Sequence, residues 1–440
     1  MIGEVFELLK KIEDGGYQAY LVGGCLRDLY LGLDPWDYDI ATDGKPEEIK
    51  EIFADHKILT HGEKFGTLSI QWKNHFYEIT TFRVDGPYKD RRHPGEVSFS
   101  DNLLEDLRRR DFTMNAMAMN RNQEWFDPFE GRRDLDQKIL RSVGDPKERL
   151  QEDALRILRG LRFATTFNLF IEEELFESMT LYRHHLLEIS KERIFTEFTK
   201  LLLADTPSYG IRMMSETGIL QLLFPELTPT IGFDQKTPYH VKTLFDHLLC
   251  VLDHTPKKLN IRLAALFHDI SKVDTLTIDD KGRGHFYGHE LLGAKVAEDI
   301  LRRLKASNEL VEKVRILILD HMKVHSEMTD RALRRQIKRV GRENVLDLYD
   351  LMIADCLCTT IDRDASFIEK RKRRVEELLQ EKEMKKDHYL AIDGHDIMKL
   401  GFPQGKIVGQ ILQEAKEWVL NDPSVNQREI LLKLIKNKFK

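Results

Sequence analysis

The segment from Leu33 to Ile40, LDPWDYDI, sets two aspartates two residues apart where a polar turn gives way to the apolar Ile40 and Ala41. In an extended strand residues i and i+2 point to one face, so Asp37 and Asp39 stand side by side with like charges. Such a pair is costly unless a cation lies between the two groups. Magnesium at a triphosphate would supply one: a pair of ions lowers the pKa of an attacking hydroxyl and neutralises charge on a leaving pyrophosphate. A third carboxylate, Glu78 in FYEITTFR, alternates with Tyr77 and Ile79 and faces the pair if its strand lies alongside. Upstream, LVGGCLRDLYLG puts Gly23 and Gly24 between a strand and a helix carrying Arg27 and Asp28. Open glycine N–H groups, a helix start and an arginine fork are phosphate-binding features, with Gly24 and Arg27 the candidate contacts. Each feature alone has a plain alternative: a solvated turn, a Gly-Gly turn, an edge-strand glutamate paired to an arginine.

The elements that must position these groups can be read from the spacing of apolar residues. An opening helix with Ile2, Val5, Phe6, Leu9 and Ile12 on one face ends at Gly15-Gly16. AYLVGG and YDIAT read as strands with the helix CLRDLYLG between them, and GTLSIQW and FYEITTFR as two further strands joined by a KNH turn. From about 141 the pattern turns helical, and after the loop GFDQKTPYH a second helical block runs to about 380, with a last segment starting near AIDGHDIMKLG. The expected fold class is α+β, a small mixed sheet with helices followed by a mainly α-helical remainder. At 440 residues the chain exceeds one hydrophobic core. Its 41% hydrophobic and 32% charged residues exclude a disordered chain. No apolar run is long enough for a membrane span, and the charged N-terminus is unlike a signal peptide, so a cytoplasmic location and no membrane partner are expected. Cys25, Cys250, Cys356 and Cys358 lack paired metal-site spacing and are expected to be ordinary buried thiols. The net charge of −6 argues against nucleic acid, but the basic runs RALRRQIKRVGR, EKRKRR and KLIKNKFK leave room for a local RNA-binding face.

LVGGCLRD, WDYDIAT, YEITTFR, RRRDFTMNAM and EDALRILRGLRFA, in that order, resemble the class II tRNA nucleotidyltransferases and bacterial poly(A) polymerases of the polymerase-beta-like superfamily. The resemblance covers residues 15 to 230 through motifs and implies a palm-like head, then a helical neck, body and tail. It implies template-free addition of nucleotides to an RNA 3′ end, with Asp37, Asp39 and Glu78 catalytic. The corresponding division is 1–140 head, 141–230 neck and start of the body, 231–380 a further helical domain and 381–440 a tRNA-binding tail. Arg110 resembles the family arginine that contacts the nucleotide, while Asp111 and Asn115 could bond to the ribose. A helix start with Asp111 as N-cap is the plain alternative there.

Base choice has a candidate in QEDALRILRGLR, read as one helix on which Asp153 and Arg156 share a face at i, i+3. Cytosine and adenine each present an amino donor beside an unprotonated ring nitrogen, whereas uracil and guanine present a carbonyl beside an N–H. A carboxylate and a guanidinium together accept the first two and reject the others. Asp153 and Arg156 match the pair assigned this role in the family, with Glu152 as an orienting neighbour and Arg159 and Arg162 positioned for triphosphate. DGPYKDRRHPGEV has the composition of a mobile loop, and its Asp90 and Arg91 match the family element linked to the switch from C to A.

LAALFHDISKV, with adjacent His268 and Asp269 in an apolar helix, resembles the HD superfamily of metal-dependent phosphohydrolases. That resemblance implies His247, His268, Asp269 and Asp355 as ligands of one metal, with His289 and His321 where ligands of a second fall. Imidazole and carboxylate suit manganese, nickel, iron or magnesium, so this second divalent site has no determined metal. The expected activity is addition or repair of the 3′ CCA of tRNA from CTP and ATP. Addition of the terminal A alone, poly(A) synthesis, or an HD phosphohydrolase with an RNA-binding head are the alternatives.

Overall fold

The computed structural model describes residues 2–86, 97–237, 242–323, 328–359, 364–381 and 390–439. The chain is divided into two compact units, Met1–Thr228 and Pro229–Lys440.

The first unit is α+β. Its strands are β1 (Ala19–Val22), β2 (Asp39–Thr42), β3 (Ile58–Leu59), β4 (Thr67–Trp72), β5 (His75–Thr81), β6 (Arg83–Asp85), β7 (Val97–Phe99), β8 (Ala118–Met119) and β9 (Trp125–Phe126), with a further short parallel pair, Ile139–Leu140 against Phe170–Ile171. Seven of them form one sheet in the order β3-β4-β5-β2-β1-β8-β9, with β6 and β7 as a separate ribbon. The β2–β5 pair is parallel and the other pairs of that sheet are antiparallel. Glu78 therefore lies on an interior strand, not on an edge. Tyr77 and Ile79 are buried while Glu78 is exposed, as alternation on a half-buried strand requires. Val22, Ala41, Phe82, Leu103, Leu107, Ala116, Ala118 and Val143 make the core behind this part of the sheet. Helices then take over, among them Pro146–Glu152, Leu155–Phe167 and Lys191–Leu202.

The second unit is helical apart from a small ribbon of Thr277–Ile278 against Gly284–His285, which the apolar periodicity did not signal. Helices Leu244–His254, Leu259–Phe267, His289–Arg303, Asn308–Asp320 and Val345–Cys358 form its first part. Helices Gly394–Lys399, Lys406–Asn421 and Arg428–Phe439 close around Ile392, Ile397, Ile411, Ala415, Leu431 and Ile435. The expectation of four unlinked buried thiols is corrected here: Cys250 and Cys358 form a disulfide joining the first and last of the five helices, and Cys356 is half-buried. The partners are 108 residues apart in sequence, so local spacing carries no trace of the bond. Among the described residues, no helix is long and apolar enough to cross a membrane.

Candidate active site

β2 begins at Asp39, so Asp37 sits in the chain leading into the strand and not within it. The alternation holds nonetheless, with Tyr38 and Ile40 buried between and beyond two more accessible aspartates. Asp39 is directly opposite Glu78 across the parallel β2–β5 pair. Burial pushes the Asp39 carboxyl up to about 6, Arg110 opposes the rise, and the charges of Asp37 and Glu78 add to it. Among the described residues, groups of three ligand atoms within 4.8 Å of one another occur in the second unit, and the head carboxylates are not such a group. Register places Asp39 and Glu78 opposite one another. Hard oxygen donors with a surplus of negative charge fit a divalent cation such as magnesium.

Gly23 has φ +81°, and a Cβ there would lie 2.8 Å from Arg110 Nη1 and 3.7 Å from Asp39 Oδ2. A side chain would therefore strain the turn and displace the arginine. Cys25, just beyond, is inert: burial pushes its thiol up to about 12, with Asp39 adding to the effect. Arg27 does not project free beside the glycines. It donates from Nη1 to Asn115 Oδ1 at 2.8 Å and from Nε and Nη2 to Asp28 Oδ1 at 2.9 and 2.8 Å, with its guanidinium 4.5 Å above the Phe167 ring.

Asn115 continues the chain, donating from Nδ2 to Asp111 Oδ1 at 3.0 Å, and Arg159 Nε donates to Asp111 Oδ2 at 2.8 Å. Burial alone would raise the Asp111 carboxyl, but Arg159 and Asn115 outweigh it and hold the group well below the usual carboxylate range. In place of a helix cap, Asp111 is the centre of a network from Arg159 to Arg27. Arg162 donates to Glu197 Oε2 at 2.6 Å and lies 3.8 Å over the Phe163 ring. Sequence reasoning missed Asp106, which is 1% exposed and accepts from Arg109 Nη2 at 2.7 Å and Arg110 Nη2 at 3.2 Å. Asp106 lies on helix Leu103–Arg108, three and four residues before those arginines, which follow the helix end, and that spacing was the available signal.

QEDALRILRGLR is two helices, which corrects the shared-face reading. Asp153 ends helix Pro146–Glu152 in an extended conformation (φ −135°, ψ 103°), and Leu155 starts the next. Its Oδ1 accepts the Leu155 N–H at 3.0 Å, which an aspartate at a break provides at no cost in side-chain reach, and its Oδ2 accepts from Arg193 Nη2 at 3.2 Å. A backbone turn, Arg156 N–H to Asp153 C=O at 3.0 Å, keeps the pair together where the helical face does not. Arg156 Nη1 donates to Glu152 Oε2 at 2.8 Å, and Nη2 donates to Arg109 C=O at 3.0 Å. The loop pair Asp90 and Arg91 lies outside the described residues.

In the second unit the six expected ligands meet in one place. His247 Nε2 is 3.1 Å from Asp355 Oδ1, His268 Nε2 is 3.3 Å from Asp269 Oδ2, and His289 Nε2 is 3.2 Å from Asp269 Oδ1. His321 Nε2 is 3.4 Å from His289 Nε2. His268 and Asp269 lie just past the end of helix Leu259–Phe267 and not inside it, and His321 just past Asn308–Asp320. Nδ1 of His268, His289 and His321 each meets the carbonyl oxygen three residues earlier, at 2.8, 2.6 and 2.6 Å. Donation there turns each Nε2 inward, where an imidazole that gives up its Nε2 proton can serve as a metal ligand. Lys272 Nζ occupies Asp269 Oδ2 at 2.6 Å. Burial alone would lower the His268 imidazole, but Asp269 and Asp355 outweigh it and raise it to about 10. Apart from these, Cys250, Cys358 and His254 form a small sulfur-rich group.

Residues 19–141 match the poly(A) polymerase head domain, 168–231 the probable RNA- and SrmB-binding site of polymerase A, and 291–435 the putative domain 2 of tRNA nucleotidyltransferase. The chain is 47% identical over 216 residues to the CCA-adding enzyme of Streptococcus thermophilus, a match covering 49% of this chain and 53% of that protein. Against this more identical relative it spans about half the length. It is 31% identical to the CCA-adding enzyme of Pediococcus pentosaceus over 97% of this chain and 96% of that one. The crystal structure of the Bacillus stearothermophilus CCA-adding enzyme in complex with CTP superposes with a TM-score of 0.76 at 26% identity, covering 99% and 97% of the two chains. With a relative of that identity along nearly its whole length, the chain belongs to the family of CCA-adding enzymes, nucleotidyltransferases whose chemistry depends on a divalent metal ion.

Proposed function

We propose that this protein adds or repairs the 3′-terminal CCA of tRNA from CTP and ATP, without a nucleic-acid template, in the cytoplasm. The observation that carries the reading is the in-register pairing of Asp39 with Glu78 on parallel strands, with Asp37 two residues ahead and the Gly23 turn and Arg110 beside them. Asp37, Asp39 and Glu78 would hold magnesium, which when bound would activate the RNA 3′ hydroxyl and neutralise charge on the leaving pyrophosphate. Gly24, Arg27, Arg110, Arg159 and Arg162 supply the positive side of the pocket, and Asp111 and Asn115 the contacts to ribose. Asp153 accepts from the exocyclic amino group of C or A while Arg156, aimed by Glu152, donates to the adjacent ring nitrogen. In this division residues 1–140 form the head, 141–230 the neck and start of the body, 231–380 an HD-type domain and 381–440 the tRNA-binding tail. The test is incubation with tRNA ending at the discriminator base, at C or at CC, with each NTP in turn. Addition of C, C and A in order supports the reading. Extension of the CC end alone by ATP would identify an A-adding enzyme, and long A tails a poly(A) polymerase.

A second activity is favoured by the inward Nε2 atoms around Asp269 and Asp355. The six side chains suit a divalent metal and a phosphohydrolase role for the second unit. The purified protein should then release phosphate or open 2′,3′-cyclic phosphates with nickel, manganese or magnesium added.

A further inference from the structure

Trp36 is 96% exposed and immediately precedes Asp37. The other three tryptophans have partners: Trp72 stacks on His56, Trp125 meets Tyr30 and Arg132, and Trp418 packs on the C-terminal core beside Lys438. Among the described residues no ring or cation packs on Trp36. An indole left fully in water forgoes the burial that ordinarily retains it, so its placement calls for an occupant. The loop that carries it is anchored, with the Leu33 N–H bonded to Asp28 C=O at 2.8 Å and Pro35 buried.

We propose that Trp36 is the stacking platform for the 3′-terminal base of the RNA acceptor. The inference rests on the reading of the head as a CCA-adding site and names a contact for its second substrate. The base of the incoming nucleotide is assigned to Asp153 and Arg156, which leaves the acceptor strand for the surface next to Asp37. Between Arg27 and Lys45 the chain has Asp28, Asp34, Asp37, Asp39 and Asp43 and no cation, so this surface repels phosphate and favours a base. A π face also suits the task. The acceptor ends in turn at a variable discriminator base, at C and at a second C. Stacking tolerates every base, whereas edge-reading hydrogen bonds would reject some of them.

Steady-state kinetics of Trp36→Ala and Trp36→Phe on tRNA ending at the discriminator, C and CC test this. For Trp36→Ala the KM for RNA should rise about tenfold with all three ends, the range for one lost base–aromatic stack being roughly five- to 150-fold. The KM for CTP and kcat should stay within about twofold of wild type, and Trp36→Phe should restore most of the RNA affinity. Equilibrium binding of an RNA whose last nucleotide lacks its base gives a double-mutant cycle, and removing the base should weaken wild type but not Trp36→Ala. An unchanged RNA KM, a rise in the CTP KM instead, or additive losses in the cycle would overturn the proposal while the CCA-adding reading stands. A wild-type protein that extends none of the three RNAs would remove that reading, and this inference with it.

Discussion

Asp39→Asn should abolish nucleotide addition and yet make the metal-free protein more stable at neutral pH. The Asp39 carboxyl stands at about 6 against an ordinary 3.8, from burial first and then from Asp37 and Glu78, with Arg110 opposing. A raised carboxylate pKa means that the folded state binds the proton more tightly than the unfolded state. Stability is therefore lost as pH climbs from about 4 to 6, and the penalty is complete near pH 7. At about 1.4 kcal/mol for each tenfold change in proton affinity, the elevation corresponds to about 3 kcal/mol. Partial access to water and side-chain relaxation lower this, and about 2 kcal/mol is the expected gain on replacing the charge by a neutral amide. For a unit of this size that is a rise of ~4–8 °C in Tm. Three of the four tryptophans, Trp36, Trp72 and Trp125, lie in the first unit, so intrinsic fluorescence reports its melting. The melts are run in chelator at pH 4.5 and pH 8, and the advantage of Asp39→Asn should be about a third of its full size at the first and full at the second. Magnesium at about a hundred times its Kd should then stabilise wild type by ~2.7 kcal/mol and leave the variant unmoved. A variant equal to or less stable than wild type at pH 8, or an advantage independent of pH, would refute the argument that the pair is held in strain for a cation.

Asp37→Ala should lose nucleotide addition at saturating magnesium with its circular dichroism and Tm little changed, since the side chain is exposed and packs no core. Replacing Asp153 or Arg156 should degrade discrimination against UTP and GTP more than it slows CTP addition; equal loss for all four nucleotides would reassign both residues to structure or phosphate binding. His268→Ala should remove bound manganese or nickel, measured by elemental analysis, together with any phosphate release, while tRNA extension stays close to wild type. Loss of extension in that variant would make the histidine cluster a structural support of the RNA-binding body.

Of the strands, β1, β2, β4 and β5 were legible as short apolar runs between turns, and the period of two marks Asp37 and Asp39 around Tyr38, and Glu78 between Tyr77 and Ile79, as residues that share a face; that β2 and β5 lie side by side in register is a property of the fold. The six-residue cluster of the second unit was legible through the resemblance of its motifs, though no periodicity could have brought helices so far apart in sequence together. What escaped was decided by local competition or long range. At Asp153 the side chain captures the Leu155 N–H and breaks a helix that the leucine and arginine spacing predicted to continue. Arg159 reads as a phosphate ligand from its position on a helix, but it is held by Asp111, 48 residues earlier. Asp106 was not legible because Arg110 reads as a nucleotide contact, whereas in the fold Arg110 and Arg109 share this buried carboxylate as their counter-ion. The Cys250–Cys358 bond connects helices whose adjacency only the folded unit creates.

The parallel β2–β5 register also decides which genetic lesions the head can absorb. A codon inserted between Asp37 and Ile40, or deleted between Tyr77 and Thr81, slips one strand by a residue and exchanges its faces, so a carboxylate enters the layer of Tyr38, Ile40, Tyr77 and Ile79. The same codon added in the connection between helix Pro46–Ile52 and β3 leaves the register untouched, since lengthening a surface loop costs only tenths of a kcal/mol. In-frame indels in this gene should therefore be null within a few codons of Asp39 and Glu78 and tolerated in the exposed connection ahead of β3, while those inside β4, which is in register with β5, should fail like those in β5 itself.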